Sequence, residues 1–334
     1  MVVCVCIVNY RTADLSIAAI RSAIAQIQTL GGSIMVVDNA SQDGSAERIS
    51  TFLQTLGNDI PVTLIESRVN GGFAFGNNLA FSAIRKMDPM PDAILLLNPD
   101  AELRPGALSE MLEVMKANPQ AGFVGPRLEN SDGTTWVAAF DFPSFTTEVL
   151  GGLGIDAISR HFAVVRRETN APTRVGWVTG TATLIRREAF EDLGNMDDGY
   201  FLYFEEVDYM WNGQRLGWES WHAPQALVRH EAGASTGISN GRAKKGRQPD
   251  YWFQSWARFF AKNYGPVYAR LTAAGKLCAI LIDSTHKRLR GKTTGLPDKF
   301  VLDFARCVLF TRLSPPPSTR LNKPDTSADK KLHA

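Results

Sequence analysis

Over the first 127 residues, short apolar runs alternate with longer amphipathic stretches. The apolar runs cover residues 2–8, 33–37, 62–65, 93–97 and 122–124. Each is β-branched or Leu-rich and bounded by turn residues, the pattern of a strand buried on both faces. Residues 14–30, 45–56, 73–87 and 107–117 carry helical periodicity between them. Strand–helix alternation predicts an α/β fold, a mainly parallel sheet covered by helices. Residues 128–176 lose this rhythm and read as a variable, substrate-facing excursion. Regular structure returns with a strand at 183–185, a helix at 187–193 and a helix from about 204 to 216 stopped by Gly217. A further strand at 218–222 is expected to close at Pro224.

Past Gly241, basic residues interleave with aromatics in segments 251–264, 268–290 and 300–313, and the Pro/Ser/Thr/Lys-rich stretch 314–334 reads as a disordered tail. The net charge of +2 conceals an asymmetry: residues 242–334 hold 19 Lys and Arg against 6 Asp, whereas residues 1–241 hold 17 basic and 28 acidic groups. The two portions face different partners. At 44% hydrophobic and 21% charged, the chain is neither collagen-like nor mucin-like nor wholly disordered. Cys4, Cys6, Cys278 and Cys307 are too scattered for a disulfide framework, and the first two lack the spacing and histidine partners of a zinc site. A reduced, cytoplasmic chain is expected. The opening MVVCVCIVNY reads as a buried strand rather than a secretion leader. No apolar run reaches the ~18 residues of a spanning helix.

In a parallel α/β sheet, ligands gather at the carboxyl ends of strands. Asn9-Tyr10-Arg11, Asp38-Asn39, residues 68–70 and Asn98-Pro99-Asp100 each follow an apolar run and should cluster there. Asp38 is placed to accept from a nucleobase N–H or a ribose hydroxyl, with Asp43 and Ser45 as caps of the next helix. Gly71 and Gly72, after Asn70, sit at a helix entry and allow close approach of a phosphate or sugar. Asp100 can hold Mg²⁺ or Mn²⁺ against a diphosphate, although a strand-end turn accounts for Pro99 equally well. The run FLYFEEVDYMW sets Glu205, Glu206 and Asp208 in the first turns of a helix, where dipole complementarity alone would favour acids. Helical spacing turns Glu206 about 100° from Glu205, which shares its side with Asp208. A general base here must be ionised, and the helix terminus is expected to keep it so. His230 is either a neutral metal ligand or a core residue.

Taken in order, IVNYRT, VVDNASQDGS, NGGFAFGNN, LLLNPD, GTATLIRREAF, FLYFEEVDYMW, GW and HEAGAS resemble the inverting family 2 glycosyltransferases of GT-A fold, in their rhamnosyltransferase-like branch, over residues 2–236. The resemblance implies that Asn9 and Asp38, with Tyr10 and Arg11 beside them, face the base and ribose of a nucleotide-sugar, and that Asn70 and Gly71 line a loop next to it. It implies that Asn98 and Asp100 stand for the metal-binding DxD motif, that His230 completes the metal or diphosphate site, and that Gly180 with Thr181 forms a donor- or acceptor-side loop. Glu206 then matches the general base and Glu205 its acidic neighbour, with Asp208 as the reserve carboxylate. Glu206 stands where the family usually has Asp, and Asn212 where relatives often have Arg.

The implied reaction is transfer from a nucleotide-diphospho-sugar, dTDP-rhamnose before UDP-hexose or UDP-galactofuranose, to a hydroxyl of a glycan or lipid-linked acceptor. One base without a second carboxylate nucleophile predicts inversion. Residues 1–236 are expected to form the catalytic domain and 237–313 a basic helical region. That region is expected to rest on an anionic membrane at the inner face of the plasma membrane, or else to pack on the acidic half. No nucleic-acid module is recognisable. No GxGxxG follows the first strand, which disfavours a dehydrogenase, and NYRTAD replaces the triphosphate loop of a nucleotidyltransferase. A mere sugar or nucleotide binder would not need Glu206.

Overall fold

The computed structural model describes residues 1–57, 61–154, 169–230 and 246–311, with the short strands Ile238–Ser239 and Arg242–Ala243. The HEAGAS run beyond His230, the boundary expected at 236–237 and the tail 314–334 lie outside the described residues.

Strands β1 (Val3–Asn9), β2 (Gly32–Asp38), β3 (Val62–Glu66) and β4 (Ala93–Leu97) run parallel in the order β3-β2-β1-β4. All seven residues of β1 are buried, and the two-residue alternation of a strand divides them between two cores. Val3, Val5 and Ile7 join α1 (Ala13–Leu30), while Cys4, Cys6 and Val8 join α3 (Gly72–Ile84). Two-sided burial is why these strands read as unbroken apolar runs. Helix α2 (Ser45–Gln54) starts differently from expectation. Gly44, without a side chain, is its N-cap at φ 83°, Ser45 is its first residue rather than a cap, and Asp43 from one position earlier accepts from the Ser45 N–H at 3.1 Å.

The sheet continues past β4 through a reversed strand. β5 (Ala101–Leu103) and α4 (Ala107–Ala117) lead to β6 (Ala121–Glu129), and the excursion follows as short pieces: β7 (Thr135–Trp136), β8 (Ala139–Phe140), α5 (Phe145–Gly152), β9 (Thr173–Val175) and β10 (Trp177–Val178). β11 (Ala182–Arg186) then inserts antiparallel between β4 and β6, with Ala182 opposite Leu97. That register brings residues 179–181 to the edge where β1, β2 and β4 end. After α6 (Arg187–Leu193) and α7 (Glu205–Leu216), β12 (Glu219–His230) pairs with β6 in parallel and with β5 antiparallel. It does not close at Pro224. A register shift between Ala223 and Leu227 absorbs the proline, and the strand carries His230 to the same edge.

Helices α8 (Asp250–Tyr264), α9 (Pro266–Leu289) and α10 (Phe300–Phe304) form a third core with Tyr200 and Val207 of the acidic half. The basic region therefore packs on the acidic one. Of the amphipathic stretch expected at 300–313, residues 300–311 are described, as a five-residue helix continued by a π-helical turn, Ala305–Leu309.

Candidate active site

The edge at β1 and β2 is a closed hydrogen-bond network. Asn9 is fully buried; its Nδ2 donates to Asp38 Oδ1 at 2.6 Å and Ser41 Oγ at 3.1 Å, and its Oδ1 accepts from Thr12 and from Ser16. No donor is left for a ligand, so Asn9 positions Asp38 rather than touching a nucleotide. Asp38, 4% exposed, also accepts from Ser41 Oγ at 2.6 Å and the Ser41 N–H at 3.0 Å. The groups this edge presents to solvent are Tyr10 and Arg11, whose guanidinium lies over the Tyr10 ring while its Nε donates to the Ser41 carbonyl. Ser41 was legible only as one polar letter of DNASQDGS.

Asn70 Oδ1 accepts from Asn39 Nδ2 and the Gly72 N–H, both at 3.0 Å. The close approach that the two glycines allow is made by the chain itself. Gly72 has φ 89°, and a Cβ there would lie 1.9 Å from the Phe201 carbonyl oxygen; at Gly71 it would lie 2.3 Å from the Phe75 ring. Phe73 N–H donates to Phe201 O at 2.9 Å. The loop thus docks the segment leading into α7.

Beyond β4 the chain turns, with Ala101 N–H bonded to Asn98 O, and Asp100 meets His230: Nε2 to Oδ1 is 3.2 Å, the two side chains 3% and 8% exposed. The Trp136 indole stacks on the imidazole at 5.2 Å. His230 Nδ1 is buried without a hydrogen-bond partner, so when Nε2–H faces Asp100 the free lone pair lies on Nδ1. A hard carboxylate beside an imidazole suits Mg²⁺ or Mn²⁺. Among the described residues no group of three or more His, Cys, Asp or Glu forms a metal cluster, so an ion held by this pair would need other oxygens to complete its shell.

Helix α7 begins after two bulky residues in left-handed backbone, Tyr203 and Phe204, both at φ 69°. Such conformations cost ~1–3 kcal/mol each and persist only when surroundings impose them. Helix α8 does so: Ser255 Oγ donates to Leu202 O at 2.9 Å, Phe204 packs on Trp252 and Phe259, and Tyr203 stacks on Tyr251. Glu205 follows, 4% exposed, its Oε2 without a partner; burial and the neighbouring Glu206 hold it well above the usual carboxylate range. Glu206 is half-buried, and its Oε2 also has no partner. Burial pushes its pKa up to about 7 against the opposing backbone N–H groups of Glu206, Val207 and Gly180. The expectation that the helix terminus keeps this carboxylate readily ionised is not met: desolvation outweighs the terminus. Gly180 lies against Glu206, where a Cβ would sit 3.5 Å from that of the glutamate. One residue later, Thr181 O accepts from the Asn98 N–H at 2.8 Å. Residues 180–181 thus tie the turn before Asp100 to the acidic helix.

The family model of Glycosyl transferase family 2 matches residues 4–194, more than half of the chain. The chain belongs to this family. This glycosyltransferase is 31% identical over 223 residues to the N-acetylglucosaminyl-diphospho-decaprenol L-rhamnosyltransferase of Mycobacterium tuberculosis, covering 61% of its own length and 68% of that protein. It is 24% identical over 210 residues to the low-salt glycan biosynthesis hexosyltransferase Agl10 of Haloferax volcanii, covering 63% of its own length and 60% of that protein. Among solved structures, its fold is shared by GalNAc-T7 with UDP, GalNAc and Mn²⁺ (TM-score 0.56, 12% identity, 92% of this chain and 57% of that one). It is shared too by the mannosyltransferase PcManGT of Pyrobaculum calidifontis with GDP-Man and Mn²⁺ (TM-score 0.53, 16% identity, 92% and 87%). The fold is thus the GT-A glycosyltransferase fold.

In this glycosyltransferase Asp208 is not a reserve base. Its carboxylate accepts from Lys262 Nζ at 2.6 Å, Asn263 Nδ2 at 2.8 Å, and Tyr200 Oη and Asn212 Nδ2 at 3.2 Å each. Lys262 also bonds Asp197 at 2.7 Å, as does Arg258. Asp208 clamps α7 onto α8. No local signal in the sequence pairs Lys262 with an acid 54 positions away.

Proposed function

We propose that this family 2 glycosyltransferase moves L-rhamnose from dTDP-rhamnose to a hydroxyl of a lipid-linked glycan, with inversion at the anomeric carbon. The observation that carries the reading is the 180–181 bridge, because it sets the Asp100–His230 pair and a carboxylate of pKa about 7 on either side of one short segment. Tyr10 and Arg11, with Asp38 behind them, form the nucleotide side of the site, and Asn70 and Gly71 the loop beside it. Asp100 and His230 would hold Mg²⁺ or Mn²⁺, which when bound neutralises charge on the leaving diphosphate. Glu206 takes the proton of the acceptor hydroxyl as oxygen attacks carbon. A base near neutrality combines an accessible ionised form with useful basicity. Neither neighbour is placed as a nucleophile, Glu205 being buried and Asp208 bound by Lys262, which favours one displacement and hence inversion.

The lipid-linked acceptor and the rhamnose donor draw their support from the name of the mycobacterial relative. In this reading residues 1–236 are the catalytic unit and 237–313 its helical buttress, and transfer occurs at the cytoplasmic face of a membrane. A thermal-shift screen of dTDP, UDP, GDP, CDP and NAD, with and without Mn²⁺ or Mg²⁺, tests the donor. A nucleotide at a hundredfold excess over its Kd stabilises by about 2.7 kcal/mol. A metal-dependent shift with dTDP is expected; one with UDP moves the donor to a UDP-hexose or UDP-galactofuranose, and a shift with NAD alone overturns the reading.

A further inference from the structure

Helix α9 is apolar on two opposite faces. Ala269, Ala273, Leu277 and Ile280 are buried in the third core, and the helix packs on α5, α8 and the π-helical turn. On the other side lie Val267, Leu271, Cys278, Leu281, Ile282 and Leu289, which at 3.6 residues per turn fall within an arc of about 100°. The five aliphatic side chains among them are 51–83% exposed, Leu289 the most. A surface helix of a globular protein needs only one apolar stripe, so a second, open to solvent along ~33 Å, marks an interaction surface. Basic groups border it. Arg270 and Arg288 flank one side of the arc, His286 the other, and Arg290 and Lys292 follow its end. The one acid of the helix, Asp283, is bonded to Lys287 at 2.7 Å. Just beyond, Leu302 and Phe310 are 69% and 83% exposed.

We propose that the outer face of α9 seats the protein flat on an anionic lipid bilayer. Apolar side chains enter the acyl boundary while the bordering arginines meet phosphate headgroups. Charge selects this occupant: two copies pairing through the same face would bring their arginine borders together, whereas anionic headgroups complement them. Among the described residues no helix is long and apolar enough to cross a membrane, so the helix lies along the surface. The purpose of the seat rests on the lipid-linked acceptor proposed above, but its existence does not.

Flotation of the full chain with vesicles of phosphatidylcholine containing phosphatidylglycerol, against phosphatidylcholine alone, tests the proposal without donor or acceptor. The chain floats with the anionic vesicles and is released by salt. Leu271→Glu with Ile282→Glu weakens partitioning about a hundredfold, and Arg270→Gln with Arg288→Gln removes the preference for anionic lipid. Both double variants keep the wild-type melting temperature. The proposal is overturned if the wild-type chain stays unbound, if the Leu271/Ile282 variant floats like wild type, or if light scattering shows a lipid-free dimer which that variant splits. A shift with NAD alone alongside normal flotation would remove the functional reading and leave the surface standing.

Discussion

Two polar edges meet at the candidate site, and they are finished in opposite ways. At the ends of β1 and β2 the carboxamide of Asn9 is spent on Asp38, Ser41, Thr12 and Ser16, all within one buried network. At the start of α7 the Oε2 atoms of Glu205 and Glu206 are buried without partners, beneath a turn held in left-handed backbone. A satisfied buried network is rigid and inert, whereas a carboxylate with one buried oxygen unpartnered carries a free-energy deficit that folding must cover elsewhere. Here the cover is α8, through its aromatic packing and the Lys262–Asp208 clamp. The satisfied edge is scaffold; the unsatisfied edge is where the proposed proton transfer is placed.

The largest effect is expected from Glu206→Gln. Transfer should fall by about 10²–10⁴-fold, while the metal-dependent nucleotide shift is kept. Survival of transfer would move the role to Glu205. In the wild type, kcat/KM should rise with pH through a limb near 7. The stability effect has the opposite sense. Because the folded-state pKa of Glu206 is raised, its favourable contribution is full below the ordinary carboxylate range and is lost as pH rises to about 7. Glu206→Gln should therefore melt above wild type at pH 8, with the gap closing toward pH 5; a constant gap would contradict the raised pKa.

Next in size is the clamp. Lys262→Met leaves Asp208 and Asp197 short of a cation in a largely buried setting and should cost about 3 kcal/mol in urea unfolding. Adding Asp208→Leu should recover part of that loss; no recovery would mean that the clamp acts by packing rather than charge. His230→Ala, at the opposite side of the bridge, should raise the Mn²⁺ concentration needed for the nucleotide shift by about 10–100-fold. An unchanged requirement would reduce His230 to a partner of Trp136. The smallest effect belongs to the surface between α1 and α2: Arg48→Ala, which removes an exposed pair with Asp14, should leave melting and transfer unchanged.

The sheet was the most legible part. Residues 93–97, 107–117 and 187–193 form their elements at the expected bounds, because a strand or helix buried in its own layer must carry its periodicity locally. Legibility fell where partners come from afar. The strand expected to stop at Pro224 runs on because β6 and β5 hold it. Asn9 and Asp38 were rightly placed at one edge, adjacent in register, yet whether such residues face a ligand or each other depends on a serine the pattern did not single out.

Local chemistry alone was enough to place Asn9, Asp38, Asp100 and the acidic run 205–208 at strand ends and a helix start, since those points are defined by where apolar periodicity stops. It also showed that the basic charge sits in the last quarter of the chain. Assigning roles required the assembled fold. Three carboxylates on one helix became a buried neighbour, a carboxyl titrating near neutrality and a clamped anchor because burial and Lys262 act across space, and desolvation and charge pairing depend on distance rather than on position along the chain.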